Sequence, residues 1–383
     1  MPKQNKAEAK RMRTSLQLVR IMGIPVKLHV TFLMILPLFA WLFAQQPRPF
    51  GFVEIKDAFL RYSIATVATI LLFTSVLLHE LSHSAVAMRY GTKINSIVLF
   101  IFGGIAMMEE IPKEPRQEAR IAFAGPAASF AIGGVCLALY YLTDIGSIYL
   151  PLELLVLNVG YLNVALAAFN LIPAFPMDGG RILRATLARK YSFLAATKKA
   201  AFIGKAFAIA MALVGILNPW LILIAFIIYV GASEEETATL IHAALEGLKV
   251  KHVMSGEVLE AVPPELSLAE LVDLMFWGRR LGYLVADESG VCGFVSFADV
   301  SRVPVDRRPL LKVRDVMTPL PRISEDEDAI NALREMLRHH TNRLAVFGED
   351  GFKGIIKKAD ILKFVELASA AASSRSKGGS NGV

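Results

Sequence analysis

Cysteine is nearly missing from this chain. The two present, Cys136 and Cys292, lie far apart in segments of different character, which excludes a disulfide framework and a cysteine metal site. Charge is also scarce. Only 20% of the 383 residues are charged against 54% hydrophobic, and the mean hydropathy is +0.49. Such a chain needs a solvent other than water for much of its length, and it is too long for one ordinary domain. A cleavage signal is missing too. The basic leader (Lys3, Lys6, Lys10, Arg11, Arg13) runs into an apolar segment, but no small-x-small site follows Phe43, and bulky Phe39, Trp41 and Phe43 dominate. A retained first helix is expected.

Six apolar stretches are present, at roughly 28–44, 64–89, 119–142, 152–172, 200–217 and 219–232. Several approach the ~20 residues that span a bilayer. The last two, parted by Asn218-Pro219, suggest a tight hairpin. Basic residues are sparse on one side of this arrangement. With the N-terminus cytoplasmic, that side holds only Arg48, Lys56 and Arg61, and the loop 143–151 holds none. The other side receives the leader, Arg89, Lys93, Lys113, Arg116, Arg120, Arg181, Arg184, Arg189, Lys190, Lys198 and Lys199. The bias places both ends of the membrane unit in the cytoplasm. A multi-pass protein of the cell membrane is expected, with the lipid bilayer as a partner. The net charge of +7 is distributed along membrane flanks, and no nucleic-acid partner is expected.

Beyond Val230 the sequence turns polar and contains an internal repeat. Val253-Met254-Ser255 matches Val316-Met317-Thr318, and Gly293 to Asp299 matches Gly354 to Asp360. In each unit a helical pattern (Leu268, Leu271, Val272, Met275; Ala329, Ile330, Leu333, Leu337) precedes two short apolar strands.

The second apolar stretch contains His79-Glu80-Leu81-Ser82-His83. Residues four apart share a helix face, so both imidazoles can hold one ion, and two imidazoles suit zinc. Glu80 then lies beside the metal, placed to take a proton from metal-bound water. Ionisable groups at membrane depth are costly, so a merely structural trio is hard to justify there. A catalytic site needs one more protein ligand and one open position. The fourth stretch ends in Asn170-Leu171-Ile172-Pro173-Ala174-Phe175-Pro176-Met177-Asp178-Gly179-Gly180. Its prolines break the helix, and broken backbone at membrane depth is tolerated where it is buried or lines a polar cavity. On this segment alone, Asp178 is equally a helix cap or an inward-pointing carboxylate. A two-histidine site short of a ligand favours coordination.

These two motifs together resemble the site-2 protease family of intramembrane metalloproteases, over roughly residues 20–230. The resemblance implies that His79, His83 and Asp178 bind one Zn2+ per chain, that Glu80 is the general base, and that Asn170 assists near the metal by stabilising the oxyanion. It implies regulated intramembrane proteolysis of a transmembrane protein substrate. Ile97 to Gly104 looks like the family's membrane-embedded strand, with Phe102, Gly103 and Gly104 offered to substrate. An exposed strand edge can pair with unwound backbone, and an ordinary hairpin covering the site is the other reading. Gly125-Pro126-Ala127-Ala128-Ser129 resembles a Gly-Pro-x-x-Asn motif, with Ser129 in place of the Asn. His29 is expected to be interfacial.

The repeat is similar to a pair of CBS domains, modules that often bind adenine nucleotides and dimerise. The resemblance implies AMP or ATP at Ser296 and Asp299, with Lys357 standing where the second copy's hydroxyl belongs before Asp360, and a homodimer formed through this pair. A dimerisation module that binds nothing is the alternative.

The fold class expected is a polytopic α-helical membrane protein, with six transmembrane helices and a small membrane-associated β element, followed by an α+β CBS pair. The boundaries are a basic cytoplasmic leader at 1–27, the membrane core at 28–232, a linker at 233–248, CBS domains at 249–303 and 312–368, and a disordered tail at 369–383. A CBS-regulated metal-ion transporter is the rival function. Glu80 beside His79 fits hydrolysis better than permeation, and the spans show no inverted repeat.

Overall fold

Each apolar stretch becomes a helix, but the helices begin where caps and prolines dictate rather than where hydropathy rises. They are α1 (Val30–Gln45), α2 (Ala58–Arg89), α3 (Pro115–Leu142), α4 (Leu150–Asn170), α6 (Phe193–Val214) and α7 (Pro219–Leu245), with a short α5 (Asp178–Leu187) between α4 and α6. This computed structural model describes residues 15–100, 103–108, 114–143, 149–254, 260–288 and 290–378. It divides into two units at Glu236.

Asp57 caps α2 by accepting the Leu60 N–H at 2.7 Å. The helix therefore starts a turn and a half before its apolar run. Pro115 and Pro151 open α3 and α4, where a missing N–H costs nothing. His29, expected at an interface, caps α1 through Nδ1, which accepts the Thr31 N–H at 3.3 Å. Helices α2, α3 and α4 are long and apolar enough to cross a membrane, and α1 is a shorter apolar helix with Pro37 inside it. Helices α6 and α7 are interrupted by Lys198, Lys199 and Lys205 and by Glu234, Glu235 and Glu236 respectively. Along α2 the hydroxyls of Thr66, Thr69, Thr74, Ser75 and Ser82 each donate to the carbonyl four residues back. These five hydroxyls are thus satisfied within the helix, as an apolar solvent requires.

The β element is larger than expected. Strands β1 (Ser15–Ile21), β2 (Ile24–His29), β3 (Ile94–Phe100) and β4 (Gly103–Met108) form one sheet in that order. β1 and β2 form a hairpin around Met22 and Gly23, both at positive φ. β2 runs parallel to β3, pairing Val26 with Ile97, and β3 pairs antiparallel with β4. Residues 15–27 are therefore strand rather than a bare leader. Their alternation of apolar and polar residues around Met22-Gly23 outweighs the basic composition in front of it.

The second unit holds α8 (Val250–Val253), β5 (Ala261–Val262), α9 (Leu268–Trp277), β6 (Gly282–Asp287), β7 (Gly290–Ser296) and α10 (Phe297–Ser301), then α11 (Val313–Val316), β8 (Thr318–Pro319), β9 (Arg322–Ser324), α12 (Ala329–Arg338), β10 (Arg343–Gly348), β11 (Gly351–Lys357) and α13 (Lys358–Gly378). The sequence repeat is not the packing unit. Leu245, Val250 and Val253 are buried with Ile323, Met336, Leu344 and Ile356 of the second copy. Val313 is buried with Leu268, Leu271, Val285 and Val295 of the first. Backbone bonds follow the same exchange. The Val250 N–H donates to the Glu327 carbonyl at 2.9 Å, and the Val313 N–H to the Leu266 carbonyl at 2.9 Å. The bounds 249–303 and 312–368 therefore each open with a segment that packs in the other copy.

Two further expectations change. The segment 233–248 lies mostly inside α7, because Glu234 to Leu245 retain good helix formers and no breaker before Gly247. The backbone of the segment expected to be disordered from 369 continues as α13 to Gly378, carried by its Ala-rich start; residues 379–383 lie outside the described residues.

Candidate metal centre

His79 and His83 stand one turn apart on the buried face of α2. The next helix fixes both rings. His83 Nδ1–H donates to the Ile121 carbonyl of α3 at 2.7 Å, and His79 Nδ1 lies 3.0 Å from Ser129 Oγ, also on α3. With Nδ1 so engaged, each ring turns Nε2 toward the same point. Asp178, at the start of α5, brings Oδ2 to 3.2 Å from both Nε2 atoms. The three donor atoms lie within 4.8 Å of one another.

This arrangement fits a metal ion. Bonds of about 2.0 Å around a tetrahedral ion put its ligands about 3.3 Å apart. The 3.2 Å separations match that edge. Gly125 supplies a second test. A Cβ there would overlap His83 Nε2 and stand 2.6 Å from His79 Nε2. Helix α3 keeps this space clear by presenting no side chain. Oriented imidazoles with their second nitrogens engaged are the usual support of a metal site.

Asp178 is delivered by the Pro-broken loop. Gly179 and Gly180 pack against the backbone of Leu171, Ile172 and Ala174 so tightly that a Cβ at either would overlap it. Phe175 and Met177 are buried beside it, and the Phe175–Pro176 peptide is cis. Asn163, fully buried on α4, donates to Ser75 Oγ of α2 at 3.0 Å and so ties these two helices together.

Glu80 projects beside the histidines toward β4. A Cβ on Gly104 would lie 2.5 Å from Glu80 Cγ, so the strand passes the glutamate at backbone distance. Gly103 pairs with Phe100 and Gly104 with Leu99, and β4 is the last strand of its sheet among the described residues. Phe102 lies outside the described residues. Asn170 ends α4, where one amide hydrogen goes to the Leu166 carbonyl at 2.9 Å.

Several supporting residues escape a sequence reading. The Ile121 carbonyl is backbone and carries no residue signature. Ser129 occupies a motif position by substitution, yet it is fully buried against His79. Arg184, counted above with the basic residues of one membrane face, is 1% exposed and paired with Glu118 of α3 and Glu235 of α7.

In the second unit, Ser296 and Asp299 form a reciprocal cap of α10. The Ser296 N–H donates to Asp299 Oδ2 at 3.0 Å, and the Asp299 N–H to Ser296 Oγ at 3.3 Å. The other copy keeps half of this: the Lys357 N–H donates to Asp360 Oδ2 at 3.0 Å. The two aspartates thus hold equivalent helix starts.

Residues 67–148 and 147–213 match the family model for peptidase family M50, and residues 250–306 and 313–367 match that for the CBS domain. The chain is 39% identical to a zinc metalloprotease of Methanocaldococcus jannaschii over 358 residues, covering 93% of this chain and 97% of that one. It is 29% identical to Rip3 of Mycobacterium tuberculosis over 376 residues, covering 93% and 94%. Among solved structures, a site-2 protease from Methanocaldococcus jannaschii is 46% identical, covering 58% of this chain and 95% of that one, with a TM-score of 0.42.

Proposed function

The chain belongs to peptidase family M50, the site-2 proteases, with a CBS pair behind the protease region, and from that premise we propose that it cuts membrane-spanning proteins within the bilayer. The convergence of His79, His83 and Asp178 beside Glu80 carries this reading. Zinc, when bound, polarises the scissile carbonyl and makes a neighbouring water acidic. The chain supplies the rest. His79, His83 and Asp178 would hold the ion, one per chain, with Glu80 beside them. Glu80 takes the proton of the attacking water on a carboxylate oxygen and passes it to the departing amine nitrogen. Asn170, with its second amide hydrogen, donates to the oxyanion. β4, with Gly103 and Gly104, offers an edge to extended substrate backbone at the point where it passes Glu80. Side chains at Gly104 would push the glutamate aside.

The reading extends to six spans, with α6 and α7 as the short final pair and with both the N-terminus and the second unit in the cytoplasm, as the Lys and Arg distribution requires. The linker, domain and tail boundaries follow the helices and the segment exchange described above. AMP or ATP is assigned to the CBS pair, with Ser296, Asp299, Lys357 and Asp360 as contacts, and the pair forms a homodimer. Supporting this are the match of both copies to the CBS domain and the equivalent aspartate at the same helix start in each.

The test measures zinc content and cleavage of a membrane-tethered substrate in the intact chain and in Glu80→Gln. The variant should keep its zinc and lose cleavage by about 10²–10⁴-fold. Undiminished cleavage would remove Glu80 from the mechanism. Ion flux in the same proteoliposomes, without cleavage, would favour the transporter instead.

A further inference from the structure

The mechanism leaves one buried charge unused. Arg184, on α5, is 1% exposed, and its guanidinium touches four separate pieces of the protease region. Nε donates to Glu118 Oε1 at 2.7 Å, and Nη2 reaches the same oxygen. Nη1 donates to Glu235 Oε1 of α7 at 2.5 Å. The cation also lies over two rings, 5.1 Å from the centroid of Phe175 and 4.8 Å from that of Phe193. Glu118 is itself 2% exposed.

The positions of these partners matter. Phe175 lies in the loop three residues before Asp178. Glu118 lies one helical turn before Ile121, whose carbonyl holds the His83 ring. Arg184 sits six residues after Asp178 on the same ten-residue helix, about 9 Å along its axis. One guanidinium thus connects the backbone behind one metal ligand with the helix turn behind another. Leu183 and Leu187 pack α5 against Phe175, Ala200, Ala201 and Ala232, and the guanidinium adds its charged tie to α3 and α7. Arginine suits this place because its planar fork can serve two carboxylates and stack on rings at once, which an ammonium cannot.

We propose that Arg184 is a positioning residue for the metal centre: it sets where Asp178 stands relative to His83, and the Glu235 carboxylate on α7 is part of that setting. The proposal rests on reading His79, His83 and Asp178 as the metal site. It gives the Glu118–Arg184–Glu235 group a role beyond stability, because displacing α7 would shift the guanidinium and hence the ligand helix. Buried ion pairs of this kind are expensive to desolvate and are not needed for stability alone.

The experiment uses the full chain in detergent, stripped of metal and reloaded with Co2+, whose visible absorption bands report ligand geometry. Zinc affinity by chelator competition and thermal unfolding are read in parallel. Asp178→Asn tests the underlying site and should change the cobalt bands strongly. Arg184→Lys should shift the bands and weaken zinc binding about 10–100-fold, the range seen when supporting partners of metal ligands are altered. Glu235→Gln, at a position 29% exposed and tolerant of the change, should do the same more weakly. Lys205→Met breaks the neighbouring Lys205–Glu236 pair between α6 and α7, 2.8 Å, and should leave the bands as in the parent. If Arg184→Lys does not fold, Glu235→Gln decides. Parent bands in a folded Arg184→Lys or in Glu235→Gln, with Asp178→Asn altered, would overturn the proposal and leave the metal site standing. An equal shift in Lys205→Met would overturn it too, since any loosening of α7 would then suffice. Parent bands in Asp178→Asn would instead remove the site itself.

Discussion

The two units treat charge in opposite ways. The protease region buries it: Arg184 and Glu118 are 1% and 2% exposed, and His79 and His83 are both buried. The CBS pair keeps it at the surface. Lys249–Asp328, Lys251–Asp326 and Arg314–Glu265 join its exchanged segments at 2.8, 2.7 and 2.5 Å, with every partner substantially exposed. In the first unit, charge fixes geometry and its removal leaves an uncompensated partner. In the second, water replaces whatever is lost, and apolar packing does the fixing.

Breaking this contrast is most direct at Gly125. Gly125→Ala puts a methyl where the Nε2 atoms converge, so the variant should bind no zinc while its helices persist by circular dichroism. Zinc retained at one per chain would show that the site lies elsewhere. In the second unit the largest effect should come from packing. Leu245→Ala empties a fully buried position in the second copy's core and should cost about 2–5 kcal/mol. Hydrogen exchange should rise at residues 323–361 before it rises at 262–300, because the segment exchange assigns Leu245 to the second copy. The reverse order would reject that exchange.

Ser129→Ala removes one hydrogen bond to His79 and should weaken zinc binding about tenfold, with the fold unchanged. Unaltered affinity by chelator competition would mean that the ring is held by packing alone. The smallest effect should be at the surface. The Lys312 ammonium on Glu265, assisted by Arg314, holds that carboxyl below its usual range. Its folded pKa is lowered, so the contribution is present above the unfolded value near 4.5 and is lost as pH falls through the folded one. Thermal unfolding of the second unit should therefore soften slightly below about pH 4.5. Glu265→Gln should flatten that part of the profile, and added salt should do likewise. A large effect in either would mean that the exposed pairs stabilise more than exposed pairs ordinarily do.

The sequence showed some of this directly. His79 to His83 at helical spacing, and Asp178 after two prolines, are local patterns, and the fold brings these three side chains together. Hydropathy located α1, α2, α3, α4, α6 and α7 because burial in lipid and burial in protein both require apolar side chains. It misplaced the starts, since Asp57, Pro115 and Pro151 act through the backbone. The hairpin at Ser15 to His29 was hidden behind its basic leader. The repeat at Val253 and Val316 was visible, but its offset of about sixty residues could not tell which copy each segment enters.

What the sequence determined by itself is the chemistry of the centre: two imidazoles and a carboxylate on one chain, with a glutamate beside the first. Those identities follow from residue type and from the 3.6-residue period, which are properties of the chain before it folds. Only the tertiary structure decided what surrounds them. It set the Ile121 carbonyl and Ser129 behind the rings, cleared space at Gly125, and moved Arg184 from an apparent membrane-flanking charge to a buried tie between Glu118 and Glu235. Each of these depends on groups far apart in sequence meeting within a few ångströms, and a backbone carbonyl or a missing Cβ has no pattern for a sequence to display.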